Sequence, residues 1–488
     1  MRLNARIILA AEASLVAGLT VAIRSGRVPL GVPGEWEWQR VRVGPSAWMM
    51  VVGLVLVMAY AAFVAAGYRS LAAGAGRRKV FAWLLGLVGA SVGVQGAVQE
   101  AAPEGYGLSK WIFALHSPGS SGYYTVAKIH MGDPARFLAD YPGWIAGQDA
   151  LHVGTHPPGL FLVARWMLDA MEAHPRVARS VCDVAPPSAS AAIRVFRESA
   201  GLPRADAASL AMTGALTLLA CSATVLPLYW LARSSLTGPA SWASAALWPL
   251  VPAALMFQPT ADTAFPLLST TALALTCWAT RSGTLRGGLL CASAGLVMAT
   301  GMEFTLAFLP VGLVVALVLA ISPGRSIPRC SWLILATGLG FLAGAFAWWA
   351  ATSANPFAIW WVNQRNHARF YVEYPRSYLA WTLENPVELA VALGLPVSAW
   401  ALIGLGTPRE GPRVTWATAL VLAMLTLSGK NLSEVARLWL PLMPPLLVAA
   451  GAGLAKVGGS AGTLGATAAL VGLQALILEA TIQVVYPV

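Results

Sequence analysis

The stretch Leu151-His152-Val153-Gly154-Thr155-His156-Pro157-Pro158-Gly159 lies inside the one long polar interruption, roughly Glu100 to Asp206, of a chain that otherwise alternates long apolar runs with short basic ones. A chain that spans lipid must satisfy its backbone polar groups internally, which favours helices in the apolar runs. A long segment bearing His, Asp, Arg and stiff Pro-Pro then belongs outside the bilayer, and it is too rich in chemistry to be a mere connector.

Working outward, the composition points the same way. Of 488 residues 57% are hydrophobic and 11% are charged, well below the usual quarter for soluble domains. Reading apolar runs of ~17–25 residues as spans predicts about thirteen of them: Ile7–Ile23, Ala47–Gly67, Val80–Glu100, Leu210–Leu231, Ala240–Phe257, Ala264–Thr280, Gly287–Met302, Thr305–Ile321, Ser331–Ala351, Val387–Gly406, Val414–Leu427, Leu438–Leu454 and Leu464–Val485. The expected organisation is two N-terminal spans in 1–79, a core in 80–352 that includes the loop 101–207, and an outer loop with C-terminal spans in 353–488. The first apolar run lacks a small-residue cleavage site and reads as an uncleaved span. The net charge of +11 with only 21 acids reflects arginines and lysines in short loops, not a nucleic-acid surface. The five cysteines, without metal-type spacing, read as small hydrophobes.

Charge also sorts the loops. Arg2 and Arg6, Arg69 with Arg77–Lys79, Arg233, Arg281 and Arg286, Arg325 and Arg329, Arg409 and Arg413, and Lys456 alternate correctly if the N-terminus is cytoplasmic. All six histidines and most acids then share the other face; Arg24, Arg27, Arg40 and Arg42 go against the rule. Pro157–Met171 accordingly reads as a helix lying along the interface, not across it.

Several residues on that face could carry chemistry. Tyr123 and Tyr124 follow the loop Ser117-Pro-Gly-Ser-Ser-Gly122 and open a short helix. Asp133, Asp140 and Asp149 lead up to His152 and His156. Pro157 holds His156 extended, which disfavours a two-histidine metal pair on one helix, although one histidine with an aspartate suits a divalent ion. Asp262 ends a span, and Glu303 sits between two apolar runs, where a charge is costly. Arg437 follows Glu434 by three residues ahead of a Pro-rich run; its guanidinium suits a phosphate, and a local helix pair with Glu434 is the simpler alternative. The segment Asn363–Glu373, with His367 and Arg369, mixes aromatic and hydrogen-bonding side chains as sugar-binding surfaces do.

In their order and common sidedness these segments resemble the GT-C superfamily of polytopic glycosyltransferases, nearest its protein O-mannosyltransferase and aminoarabinose-transferase branches. Tyr123-Tyr124 matches the family's tyrosine element, His156-Pro157-Pro158-Gly159 its Pro-Pro element and Asp262 its second outer acid. Glu434–Arg437, ahead of Pro441 and Pro444, matches the late basic element. The resemblance covers roughly 80–485. It implies an all-α GT-C-type bundle with extracytoplasmic juxtamembrane helices in a bacterial inner membrane. It also implies a polyprenyl-phosphate sugar donor, a glycan, lipid or protein acceptor, and a general-base carboxylate; the candidates are Asp140 and Asp149, then Asp262, with Asp140 preferred because it sits nearest the Tyr-Pro-Gly turn that leads to the His-Pro-Pro loop. Tyr123, Tyr124, His152, His156, His367, Arg369, Glu434 and Arg437 are the expected substrate contacts, and His156 the expected ligand if a metal binds. One departure stands out: Ser120-Ser121 occupies the place of the family's acidic pair. A lipid-linked-glycan flippase or polymerase shares the lipid-phosphate chemistry. A secondary transporter shares the many spans, but the chain shows no internal repeat.

Overall fold

The computed structural model describes residues 4–151, 153–321, 326–406 and 412–485; Arg2, His152, Arg325 and Arg409 lie outside them. The described chain is helical apart from two short antiparallel strand pairs. Seven helices are long and apolar enough to cross a membrane: Ala5–Ser25, Ala47–Ala72, Arg77–Glu100, Arg204–Arg233, Thr284–Met302, Ile327–Thr352 and Ala461–Thr481. Their outward residues, such as Val55 and Leu339, are more than half exposed, as a lipid-facing surface requires.

The other six expected spans are shorter, bent or broken, and proline interrupts several of them. A proline inside a helix removes a backbone donor and clashes with the preceding turn. Tyr378–Leu393 meets Leu395–Leu405 at 109° next to Gly394 and Pro396. Ala240–Phe257 becomes Gly238–Leu247, a 3-10 turn at Trp248–Leu250 and Pro252–Met256, interrupted at Pro249 and Pro252. That segment is buried along its length: it is apolar because it is core. Phe308–Ala320, Arg413–Ser428 and Leu440–Lys456 are shorter apolar helices.

Small residues allow one of the close helix crossings. A Cβ on Gly340 would sit 2.0 Å from the Ala292 carbonyl oxygen, and one on Gly295 would sit 2.1 Å from that of Thr337. Thr284–Met302 and Ile327–Thr352 thus touch backbone to backbone, the packing that small residues permit where lipid removes any hydrophobic drive.

The polar segments gather at one end of the bundle. Asn363 donates to the Gly154 carbonyl (3.1 Å), Tyr371 to the Lys430 carbonyl (2.9 Å) and Ser120 to the Val485 carbonyl (3.1 Å). The hairpin Gly31–Glu37 joins them through Glu35, which accepts from Ser377 and, at 2.7 Å, from Trp381 Nε1. Gln39–Arg40 pairs with Ile482–Gln483. The helix Arg77–Glu100 runs from this end, where Glu100 accepts from Ser188 at 2.9 Å, to a basic end, where Arg77 and Arg233 line one cleft. Between the long helices and this polar cap, Lys110 and Glu479 form a fully buried ion pair at 3.2 Å.

Candidate functional site

The His-Pro-Pro loop is fastened on three sides. Asp149 closes a turn by accepting from the Leu151 amide (2.9 Å), and Val153–Thr155 forms a 3-10 turn. Asn363 and Asn366 reach in from the helix Pro356–Glu373, both donating to the Gly154 carbonyl, at 3.1 and 2.8 Å. The His156 carbonyl accepts from Tyr141 Oη (2.7 Å) and from Asn363 (3.2 Å). The Gly159 amide donates to the Glu303 carbonyl at 2.9 Å. His156 is therefore held by groups that grip the backbone on either side of it.

A second loop carries Glu434 and Arg437. Ser433 (φ 80°) and Glu434 (φ 55°) are consecutive non-glycine residues in the left-handed region, a conformation that costs of order 1–3 kcal/mol per residue and persists only where neighbours enforce it. Several neighbours do. Tyr371 Oη donates to the Lys430 carbonyl and accepts from the Leu432 amide (3.0 Å), and Arg376 Nε donates to Ser433 Oγ (3.3 Å). Asn385 donates to the Asn431 carbonyl (2.8 Å), and buried Glu388 accepts from the Ala436 amide (3.1 Å). Arg437 meets Glu434 at 2.6 Å.

Between these loops lies a polar cavity of about 330 Å³, lined by His156, Asp262, His367, Glu434 and Arg437, with Lys430 among its other walls. Asp262 enters on the 3-10 turn Ala261–Thr263. Beside it runs an apolar groove of about 320 Å³, walled by Tyr123 and Tyr124, by Leu160, Ala164 and Met167, and by residues of the helix Arg204–Ala223. The two spaces share a partition: Ala261 and Phe304 face the groove, while Asp262 and Thr305 face the cavity. Tyr123 stands at this partition, 5.5 Å from the His156 ring between centroids. Burial, reinforced by the Asp262 charge, raises its phenol far above the ordinary range, so it stays protonated. Burial opposes the charge on Arg437, but Glu434 and Asp262 outweigh it and hold the guanidinium ionised. His367 is pushed below its usual range by burial, with His156 and Lys430 adding to the effect.

The remaining expected residues go elsewhere. Asp140 is exposed and lines neither space. On the helix Pro134–Ala146 its neighbour Tyr141 points inward to the His156 carbonyl, and successive side chains on a helix diverge by about 100°. Asp140, the preferred base of the sequence, thus lies outside the cavity that Asp262 lines. Exposed Asp149 is a turn-closing acceptor. Arg369 pairs with Glu373 at 2.8 Å, one turn along the helix and outside the cavity. Tyr124 donates to Asp206 at 2.6 Å on the rim of the groove. Ser120 and Ser121, where the acidic pair was expected, donate to the Val485 and Leu115 carbonyls. Among the described residues no three His, Cys, Asp or Glu side chains are grouped to hold a metal.

The sequence alone assigned no individual role to Asn363, Asn366 or Lys430, although their segments stood out. The first two, with His367 and Phe370, recur at a spacing of three to four residues and form the inward face of a helix whose other face, with Gln364, Arg365, Arg369 and Glu373, is exposed.

No protein-family model matches the chain, and no curated protein matches it.

Proposed function

We propose that this protein is a membrane glycosyltransferase, with a GT-C-type architecture, that moves a sugar from a polyprenyl-phosphate donor to an acceptor on the extracytoplasmic face of a bacterial inner membrane. The observation that carries this reading is the pairing of an apolar groove with a carboxylate- and arginine-bearing cavity across one thin partition. A lipid-linked sugar needs both: a dry trough for its isoprenoid tail and a polar chamber for its phosphate and sugar. The separation of a basic end from a histidine-rich end supports a cytoplasmic N-terminus.

In this mechanism Asp262 accepts the acceptor hydroxyl's proton as its oxygen attacks the anomeric carbon. The bond from that carbon to the phosphate oxygen breaks, the phosphate leaves with the electron pair, and a single displacement inverts the configuration. General-base help of this kind contributes about 10²–10⁴-fold. Arg437, held charged at the partition, neutralises the charge that develops on the phosphate. Protonated Tyr123 donates from the tail side. Asp262 is the preferred base because Glu434 is committed to Arg437 at 2.6 Å.

The test is transfer by the purified protein from polyprenyl-phosphate mannose and polyprenyl-phosphate arabinose, offered in parallel. Asp262→Asn should slow transfer at least 100-fold while Asp140→Asn stays within about twofold of the native protein. An Asp262→Asn protein of native activity would remove Asp262 as the base. Donor crossing the bilayer of proteoliposomes without being consumed would replace the transferase reading by a flippase.

A further inference from the structure

The polar cavity has two ends, and only one meets the apolar groove. At that end Tyr123, Asp262 and Arg437 act on one another electrostatically. The other end is built by His367, Phe370 and Tyr371 together with Lys430 and Asn431, joined where Tyr371 bonds the Lys430 carbonyl. Its wall is aromatic: the Phe370 and Tyr371 rings lie 5.2 Å apart, and Arg376 stacks on Phe370 at 5.6 Å.

Charge is distributed unevenly between the ends. Both carboxylates lining the cavity act on Arg437, Glu434 in direct contact and Asp262 through space. Lys430 is in no ion pair among the described residues, and its charge acts on His367. Tyr371 fixes its backbone by bonding the Lys430 carbonyl. At the far end positive charge exceeds negative, with exposed Lys430 and half-buried Arg376 set against Glu434, which acts on Tyr371 as well as on Arg437, beside an aromatic wall. A lone ammonium is a point charge, suited to a singly charged carboxylate; phosphate is better served by the guanidinium fork at the other end.

We propose that this far end is the acceptor subsite and that the acceptor is an acidic saccharide, with a ring carboxylate on Lys430 and an apolar sugar face against Phe370 and Tyr371. The assignment rests on the transferase reading for the acceptor's role, and the binding itself can be tested without a donor. Purified full-length protein would be titrated calorimetrically, at low salt, with trigalacturonate and with neutral galactotriose. The acidic trisaccharide should bind at least tenfold more tightly, the worth of one charge-assisted hydrogen bond. Raising the salt should shrink the difference. Lys430→Gln should abolish the preference, Lys430→Arg should retain most of it, and Arg369→Gln, outside the cavity, should leave it unchanged. Equal affinity for the two sugars, binding of neither, or a preference that survives in Lys430→Gln would overturn the proposal. Transfer to neutral acceptors with no such preference would remove this subsite and leave the transferase standing. Acidic-saccharide binding without any transfer would do the reverse.

Discussion

Gly154→Ala should loosen the loop that carries His156. A Cβ at this position would stand 1.9 Å from the Asp149 carbonyl oxygen and 3.3 Å from Asn366 Nδ2. The first contact is with backbone, so no side chain can swing aside, and the turn between Asp149 and His156 must open. Opening it withdraws the Gly154 carbonyl from Asn363 and Asn366. Two hydrogen bonds at about 1 kcal/mol each, with about 1 kcal/mol or more of residual overpacking, amount to about 3 kcal/mol. At 1.4 kcal/mol per factor of ten, amide exchange in this segment should quicken by about 100-fold. Hydrogen–deuterium exchange read by mass spectrometry on peptides covering 149–156 measures this directly, with peptides from Thr284–Met302 as the unaffected reference. Gly143→Ala is the control, because a Cβ there meets nothing within 4 Å. Native exchange rates in Gly154→Ala would refute the clamped loop, and with it the reason His156 faces the cavity.

Three further outcomes follow from the same structure. His367, whose pKa lies below its usual 6.5, stays neutral in the fold while the unfolded chain takes up a proton; its stabilising contribution is full above about pH 6.5 and declines as the pH falls below it. His367→Gln should therefore flatten the acid side of a thermal-midpoint profile taken between about pH 5 and 8; an unchanged slope would count against a neutral buried His367. Lys110→Met leaves Glu479 buried without its partner and should cost about 3–5 kcal/mol, whereas Lys110→Met with Glu479→Leu should recover most of it in thermal inactivation; a single variant as durable as the native protein would deny the pair. Glu388→Ala removes the acceptor for the Ala436 amide beside two left-handed residues and should raise KM for donor by about tenfold, while Glu388→Gln, which keeps an acceptor, should not. Equal steady-state constants in the two variants would show that the loop holds itself.

Helical character and the long apolar spans were legible in the sequence because lipid imposes a simple length rule. The rule misleads where a helix is apolar for another reason. Ala240–Phe257 satisfies hydropathy as well as any span, yet it is broken by Pro249 and Pro252 and enclosed by protein; an apolar run reads alike in lipid and in a core. In the site, the charge sorting of loops grouped His156, Asp262, His367, Glu434 and Arg437 on one face, and these line one cavity. Nearness along the chain served less well. Asp140 adjoins Tyr141, but one residue along a helix turns the side chain away. Asp149 is taken by its own turn, as aspartates in loops commonly are. Arg369 has an acid four residues on, a local partner visible in the sequence and favoured on any helix. The partners of the backbone clamps Asn363, Asn366 and Glu388 had no local signature, because each acts on a carbonyl or amide at least 48 residues away.

The ties between distant segments bear on biogenesis. Lys110 finds Glu479 across 369 residues, Ser120 finds Val485 across 365, and Gln39–Arg40 pairs with Ile482–Gln483. At about 5–20 residues per second, a ribosome needs roughly 20–70 s to supply Glu479 after Lys110. Through that interval the polar cap holds a lysine destined for burial with no counter-charge. The closing of the cap is thus a late, post-insertion event, and a nascent chain halted before residue 479 presents membrane quality control with an exposed charge that the finished protein conceals.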